Sequence, residues 1–268
     1  MQELIDLSRR ALQRANPLPF SVYASIKEQH IFNVPVINPT LICILEGCKK
    51  LGRDSKLSCP AGSFLFLSNN PKVEMRNIPD DIAYFALIVE FEFTDFDIFT
   101  SKKTAAKTFF TGDMDAVLRK TLQQLVEWSG FAPPELWAIR RREILQLLYH
   151  SGYTQLGAVV KSPSLSQQLY TIIAADISAN LGADALSSRL AMSESTLRRK
   201  LHGEGTSLQV IKDRARLGHG LHLLQSTLEP VGIIAERCGY LSQSRFTDKF
   251  KQLFGLTPTE LRRTRMPD

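Results

Sequence analysis

Residues 237–255 read RCGYLSQSRFTDKFKQLFG, and the folding of this stretch decides how the rest of the chain is read. Gly239 suits a tight turn. Ser242 can accept a hydrogen bond from the unpaired N–H groups of a helix's first turn, and Gly255 is the residue type that most readily ends a helix in the left-handed conformation. The pattern predicts a helix that starts after Ser242 and stops at Gly255. Its first turn carries Gln243, Ser244 and Arg245. Solubility alone would scatter such groups, so a cluster of donors at one helix tip implies that the tip touches a partner.

A second stretch repeats the pattern. Residues 192–201 and 241–250 both read apolar, Ser, three polar, apolar, three polar, apolar, and their serines, Ser193 and Ser242, lie 49 positions apart. In each, the residue before Ser and the residue at the fourth helical position are apolar, the spacing of a hydrophobic staple. A short helical segment, residues 185–190 or 231–238, and a tight turn precede each, which is the order of a helix-turn-helix. Leu197 and Leu201, or Phe246 and Phe250, form the buried face. The other faces expose Glu194, Ser195, Arg198 and Arg199 in the first unit, and Gln243, Ser244, Arg245, Thr247 and Lys249 in the second. Such a helix fits the DNA major groove, where Arg pairs with guanine and Gln with adenine, while Ser, Thr and the helix N-terminus suit phosphate. The expected partner is double-stranded DNA, and the candidate contacts are Ser195, Arg198, Arg199, Gln243, Ser244, Arg245, Thr247 and Lys249.

Residues 207–225 read as the helix joining the two units, with Leu208, Ile211, Ala215 and Leu224 along one side. It would span roughly 27 Å at about 1.5 Å per residue, of the order of the ~34 Å between successive groove openings on one duplex face. Gly218 and Gly220 fall inside it and permit either bending or close packing. Downstream, residues 257–260 match a capping box with Pro258 at the first helical position. Arg262, Arg263 and Arg265 follow, either near phosphates or solvated. Upstream, Ser162 and Pro163 are expected to start a helix with Leu165, Leu169, Ile172, Ile173 and Ile177 on its apolar face, Gly182 to end it, and Asp184 to cap the next.

Charge agrees with this division. Of a net charge of +6, residues 161–268 contribute five, with 15 Lys and Arg against 10 Asp and Glu. A basic excess on one half fits a polyanionic partner. The first half reads differently: residues 23–26, 40–46, 62–68 and 83–93 are short runs rich in β-branched and aromatic residues, separated by turn residues such as those at 38–39, 60–62, 69–71 and 79–81, which predicts a sandwich or barrel. Helices follow over 114–128 and 134–150, the second with Leu136, Ile139, Ile144, Leu147 and Leu148 apolar, and residues 151–161 read as a linker. The domains expected are thus 1–150, a linker at 151–161, and 162–268.

At this point the residues resemble a known family. Residues 162–265 look like the DNA-binding domain of AraC/XylS-type bacterial transcription regulators. The carrying residues are Ile234 to Tyr240, Ser242 to Phe246, Phe250-Lys251 and Phe254 to Pro258, with Leu190 to Ser193, Leu197 to Arg199, Gly205 to Ser207 and Arg216-Leu217 upstream. The resemblance places base contacts at Ser195, Arg198, Arg199, Gln243, Ser244 and Arg245. Three positions depart from the family pattern: Arg245 where an apolar or aromatic residue is usual, Gly220 where Ala is usual, and Leu241 where a small polar residue is usual. More loosely, Leu41 to Gly47 and Pro60 to Leu67 resemble the family's N-terminal sensor domain.

The fold implied is α+β: a cupin-like β-barrel with flanking helices, then an all-α domain with two helix-turn-helix motifs. The resemblance further implies a small effector in the barrel, which its Leu-, Ile- and Phe-rich strands make apolar or weakly polar. It implies a homodimer through residues 113–150, and contact with RNA polymerase if the protein activates. The alternative is a non-enzymatic sensor that acts through a partner regulator protein.

Other classes find little footing. His30 is the one barrel histidine, so a His-and-carboxylate metal site is not expected there, and His219 and His222 read as solvated or packed on the DNA backbone. No phosphate loop or nucleophile elbow is present; no enzyme, cofactor or metal is expected. Cys43, Cys48, Cys59 and Cys238 form no CxxC pair and read as small buried hydrophobes in a reducing cytoplasm. The N-terminus has no apolar signal-like core, and the most apolar run, residues 83–93, contains Glu90 and is too short to span a bilayer.

Overall fold

A computed structural model describes residues 1–13, 17–52, 57–68, 73–99, 109–158, 163–177, 179 and 181–265. The turn expected at 69–71, the last part of the linker, 159–161, and Ser162, expected to help start the next helix, lie outside the described residues. The chain divides into two units, Met1–Lys161 with Thr264–Asp268, and Ser162–Arg263.

The first unit begins with helix α1 (Gln2–Leu12) and then, among the described residues, builds two antiparallel sheets from nine strands: β1 (Ser21–Ser25), β2 (Gln29–Val34), β3 (Thr40–Glu46), β4 (Cys48–Leu51), β5 (Leu57–Pro60), β6 (Ser63–Leu67), β7 (Val73–Ile78), β8 (Tyr84–Glu90) and β9 (Phe109–Asp113). One sheet has the order β1-β8-β3-β6-β9 and the other β2-β7-β4-β5. The expected barrel is therefore two sheets and not a closed cylinder. Strand alternation explains the layering. Leu41, Cys43 and Leu45, Phe64 and Phe66, and Phe85, Leu87 and Val89 enter one core, which they share with α1 and with helices α2 (Ala116–Trp128) and α3 (Trp137–His150). Their neighbours Ile42, Ile44, Leu65, Leu67, Tyr84, Ala86 and Ile88 enter a second core against Leu51, Val73 and Met75 of the other sheet. The five-stranded sheet is thus covered on both faces, and its three central strands are buried almost without a break.

α2 starts where Asp115 accepts a hydrogen bond from Leu118 N at 2.7 Å. The segment expected to be helical from Pro134 begins instead with a 3-10 turn, Pro134–Leu136, before α3. That tighter turn changes the phase of the pattern. Leu136 and Ile139 consequently lie exposed, and the buried residues of α3 are Ile144, Leu145 and Leu148. Within the span read as linker, Leu156 is fully buried and Tyr153 stacks on Phe110 at 5.6 Å between ring centroids.

Asp95, 1% exposed, sits in the 3-10 segment Phe93–Ile98 and is held by α3: Arg141 Nε lies 2.5 Å from Asp95 Oδ2, and Arg141 Nη2 reaches Glu92 Oε1 at 2.7 Å.

Lys49 is the second buried charge. It points inward from β4, donates from Nζ to Asn77 Oδ1 at 2.5 Å, and lies 5.4 Å from the centroid of the Tyr84 ring. No carboxylate pairs with it among the described residues. Burial lowers its ammonium pKa to about 8, opposed more weakly by the neighbouring Cys59 and Cys48 thiols. Below that pH both folded and unfolded chains hold the proton and the desolvation penalty is complete. Between about 8 and 10.5 the unfolded chain holds more protons, so the Lys49 contribution to stability rises with pH. Wild type is expected to gain roughly 3 kcal/mol over Lys49→Met across that window, at about 1.36 kcal/mol per pH unit. Urea unfolding of both proteins at pH 7.5 and 10 checks this. Burial also raises the pKa values of Tyr84 and Cys59, and Lys49 opposes the rise at Cys59, so the comparison reads Lys49 and Cys59 as an interacting pair.

The second unit is helical: α4 (Leu165–Ala175), α5 (Ala183–Arg189), α6 (Glu194–Gly203), α7 (Leu208–Ser226), α8 (Val231–Arg237), α9 (Gln243–Phe254) and α10 (Pro258–Thr264). α4 is capped by Ser164, whose Oγ accepts from Gln167 N while Gln167 reaches back to Ser164 N, so Pro163 precedes the cap and does not open the helix. Glu204 adds both carboxylate oxygens at 3.0 Å to the N–H groups of Leu165 and Ser166. The helix ends at Ala175, before Gly182, and Gly182 rather than Asp184 is the N-cap of α5.

Candidate nucleic-acid interface

Two helix pairs, α5–α6 and α8–α9, flank α7. α6 is capped by Ser193, whose Oγ accepts from Thr196 N at 3.2 Å, and α9 by Ser242, whose Oγ accepts from Arg245 N at 3.3 Å. Leu197 and Leu201 bury the inner face of α6 with Leu169, Ile173, Leu186 and Ile211. Phe246, Phe250 and Phe254 do so for α9, each 0% exposed, with successive ring centroids 5.5 and 4.6 Å apart. Gly220 of α7 makes room for them. A Cβ there would lie 2.8 Å from the Phe246 ring and 3.2 Å from Cys238 Sγ, so the glycine serves close packing rather than bending. Gly255 ends α9 at φ +84°, and Thr257 and Glu260 form the expected capping box, with Thr257 N donating to Glu260 Oε2 at 2.7 Å.

The two turns are not equal. In the first, Ala191 takes φ +51° and Met192 N donates to Ser187 O at 3.0 Å; in the second, Gly239 takes φ +75° and Tyr240 N donates to Ala235 O at 3.0 Å. By these bonds Tyr240 stands where Met192 stands. The cap Ser193 follows Ala191 by two residues, whereas Ser242 follows Gly239 by three. The second turn therefore holds one additional residue, Leu241. Met192 packs on the cluster that contains Leu197, as a staple should. In the second unit Tyr240 takes that role, with its ring 5.4 Å from Phe246, and Leu241 stands at 103% relative exposure. The staple expected between Leu241 and Phe246 is not formed, because the extra residue moves Tyr240 into its place.

The proposed contact residues divide in two. Gln243, Ser244 and Arg245 lie exposed together on the first turn of α9, and Ser195, Arg198 and Arg199 lie exposed on α6. Arg198 makes an i,i+4 pair with Glu194 at 3.2 Å; at 73% side-chain exposure this contact is weak and readily exchanged for another anion. Thr247 and Lys249 are half-buried, and Lys249 Nζ lies 3.6 Å from Asp213 Oδ2 of α7, so it is turned toward its own domain. Arg262 likewise donates inward, to Glu229 O at 2.9 Å, while Arg263 is exposed. His219 and His222 are half-buried on α7. Burial, followed by neighbouring His219, lowers His222 to a pKa of about 4, and burial with Arg237 lowers that of His219. Sequence patterning missed the exposed role of Leu241; the signal available was its departure from the small polar residue usual there.

No group of three or more His, Cys, Asp or Glu among the described residues is placed to hold a metal ion. No helix among them is long and apolar enough to cross a membrane.

A family model for a helix-turn-helix domain matches residues 186–264. Similar proteins include the transcriptional regulator SirC of Salmonella typhimurium, 27% identical over 176 residues that cover 61% of this chain and 59% of SirC. The HTH-type transcriptional regulator AdiY of Escherichia coli is 32% identical over 94 residues, 35% of this chain and 37% of AdiY. The chain thus spans less than two thirds of the length of either relative. Among solved structures, ToxT of Vibrio cholerae with a bound unsaturated fatty acid matches 95% of this chain and 98% of its own, with a TM-score of 0.65 at 16% identity. Two-sheet N-terminal unit and double helix-turn-helix unit make the α+β fold seen in ToxT. The match to the helix-turn-helix model and the likeness to AdiY both fall on part of the chain, the former on α5 to α10.

Proposed function

We propose that this chain is a sequence-specific DNA-binding transcription regulator that lays α6 and α9 in major grooves of a duplex. One observation carries the reading: Gln243, Ser244 and Arg245 stand exposed on the first turn of a helix whose other face is fixed by three buried phenylalanines. The basic balance of residues 161–268 supports it. The test is selection of duplexes from a random pool with the full chain, then titration against the selected and random duplexes at several salt concentrations. A direct reader is expected to prefer its site by about 10³-fold or more. Equal affinity for both would favour a sensor that acts through a partner regulator.

Arg245→Ala is expected to lose about 1–3 kcal/mol of discrimination at one base pair of the selected site, with non-specific affinity reduced far less. Binding to a panel of base-substituted duplexes checks this, and an unchanged preference across the panel removes Arg245 from base reading.

The same reading gives the N-terminal unit a small apolar or weakly polar effector. Support comes from the apolar inner faces of its sheets, from the buried Lys49 over the ring of Tyr84, whose hydroxyl has no hydrogen-bond partner among the described residues, and from the fatty acid held by ToxT on this fold. It also gives a homodimer through residues 113–150, supported by Val117, Phe131, Leu136 and Ile139, large apolar side chains left exposed on and between α2 and α3.

A further inference from the structure

We infer that Leu241 reads the 5-methyl group of a thymine in the major groove, beside the bases contacted by the first turn of α9. The inference rests on the DNA-binding reading above and adds a specificity-determining residue to it. Leu241 is the residue by which the second turn exceeds the first, and Tyr240 has taken the inward position that an apolar residue would otherwise fill. Its side chain therefore has no packing role in the domain: it is fully exposed, whereas the apolar residues near it in sequence, Cys238, Phe246 and Phe250, are buried. It immediately precedes Ser242, so it projects from the same helix end as Gln243, Ser244 and Arg245. These three neighbours are hydrogen-bonding groups suited to base edges and phosphates. An isobutyl group among them has no hydrogen bond to give. The one apolar feature that the major-groove edge of a base pair offers is the thymine methyl. Burying a methyl against leucine removes apolar surface from water on both partners.

The test uses the full chain and the duplex selected as above. Each thymine is replaced in turn by deoxyuridine, which lacks only the methyl group, and affinity is measured for wild type and Leu241→Ala. At one thymine the wild type is expected to lose roughly fivefold in affinity, the ratio that burial of one methyl group supports. Leu241→Ala is expected to bind thymine and uracil at that position equally, and to match wild type at the other positions. Cytosine and 5-methylcytosine at the same position should differ for wild type in the same direction. Because Leu241 is exposed, its replacement is expected to leave the melting temperature unchanged; a clear fall would mean that the residue is packed, and would overturn the inference. A selected site at which no uracil substitution separates the two proteins also overturns it, and leaves the DNA-binding reading standing. Failure of wild type to select any site would remove both.

Discussion

Phe246→Ala is expected to destabilise the C-terminal unit by about 3–5 kcal/mol and to abolish sequence-specific DNA binding with it. The ring is fully buried and packs against three residues: Tyr240 at 5.4 Å between centroids, Phe250 at 5.5 Å, and Gly220 of α7. Removing it opens a cavity that its neighbours cannot close cheaply, since Phe250 is already packed edge-on against Phe254. A loss of that size is a large fraction of the roughly 5–15 kcal/mol that holds a typical domain together. Urea unfolding of the full chain should show the transition of the C-terminal unit at lower denaturant while that of the N-terminal unit stays in place. Binding of the selected duplex should fall to the level of random duplex. If the C-terminal transition does not move, the three-phenylalanine face does not hold α9 as described.

Arg141→Met should act on the other unit, at about 3–5 kcal/mol. Asp95 is almost completely buried, and Arg141 supplies its closest cationic contact, at 2.5 Å. Arg142 lies at 3.7 Å and is largely exposed, so it compensates poorly. Breaking a buried pair on one side leaves the remaining charge without its partner, which is costlier than removing both. Arg141→Met with Asp95→Asn should therefore recover much of the loss. Unfolding curves of the two single variants and the double variant check this, and a double variant as unstable as the sum of the singles would show that the two residues act independently.

The parts of the fold legible in sequence were those whose burial is continuous. β3, β6 and β8 are covered on both faces and so appear as unbroken apolar runs. β2, β4, β5 and β7 belong to the four-stranded sheet and show weaker or mixed patterns, such as VEMRNI at residues 73–78. β4 defeats patterning, because one of its two inward residues, Lys49, is a lysine. α1 and β9 also escaped notice; β9 is an edge strand of five residues ending in Thr-Gly-Asp. In the C-terminal unit, cap residues and i,i+4 apolar pairs located α6, α9 and the capping box of α10 well, because those signals are local. What local reading could not decide is which of two adjacent apolar residues, Tyr240 or Leu241, turns inward. That depends on the left-handed residue at the start of the turn, and counting from the cap aligned the two units one residue out of register. Lys249 shows the complementary limit: its place on the polar face was legible, but its pairing with Asp213 depends on the position of α7.

That single surplus residue also bears on symmetry. A duplicated motif whose copies were interchangeable would tolerate exchange of its two half-sites. Here one copy ends in a bare aliphatic side chain and the other does not, and their side chains also differ in chemistry. On the DNA-binding reading proposed above, exchanging the two half-sites of the selected duplex is therefore expected to weaken binding.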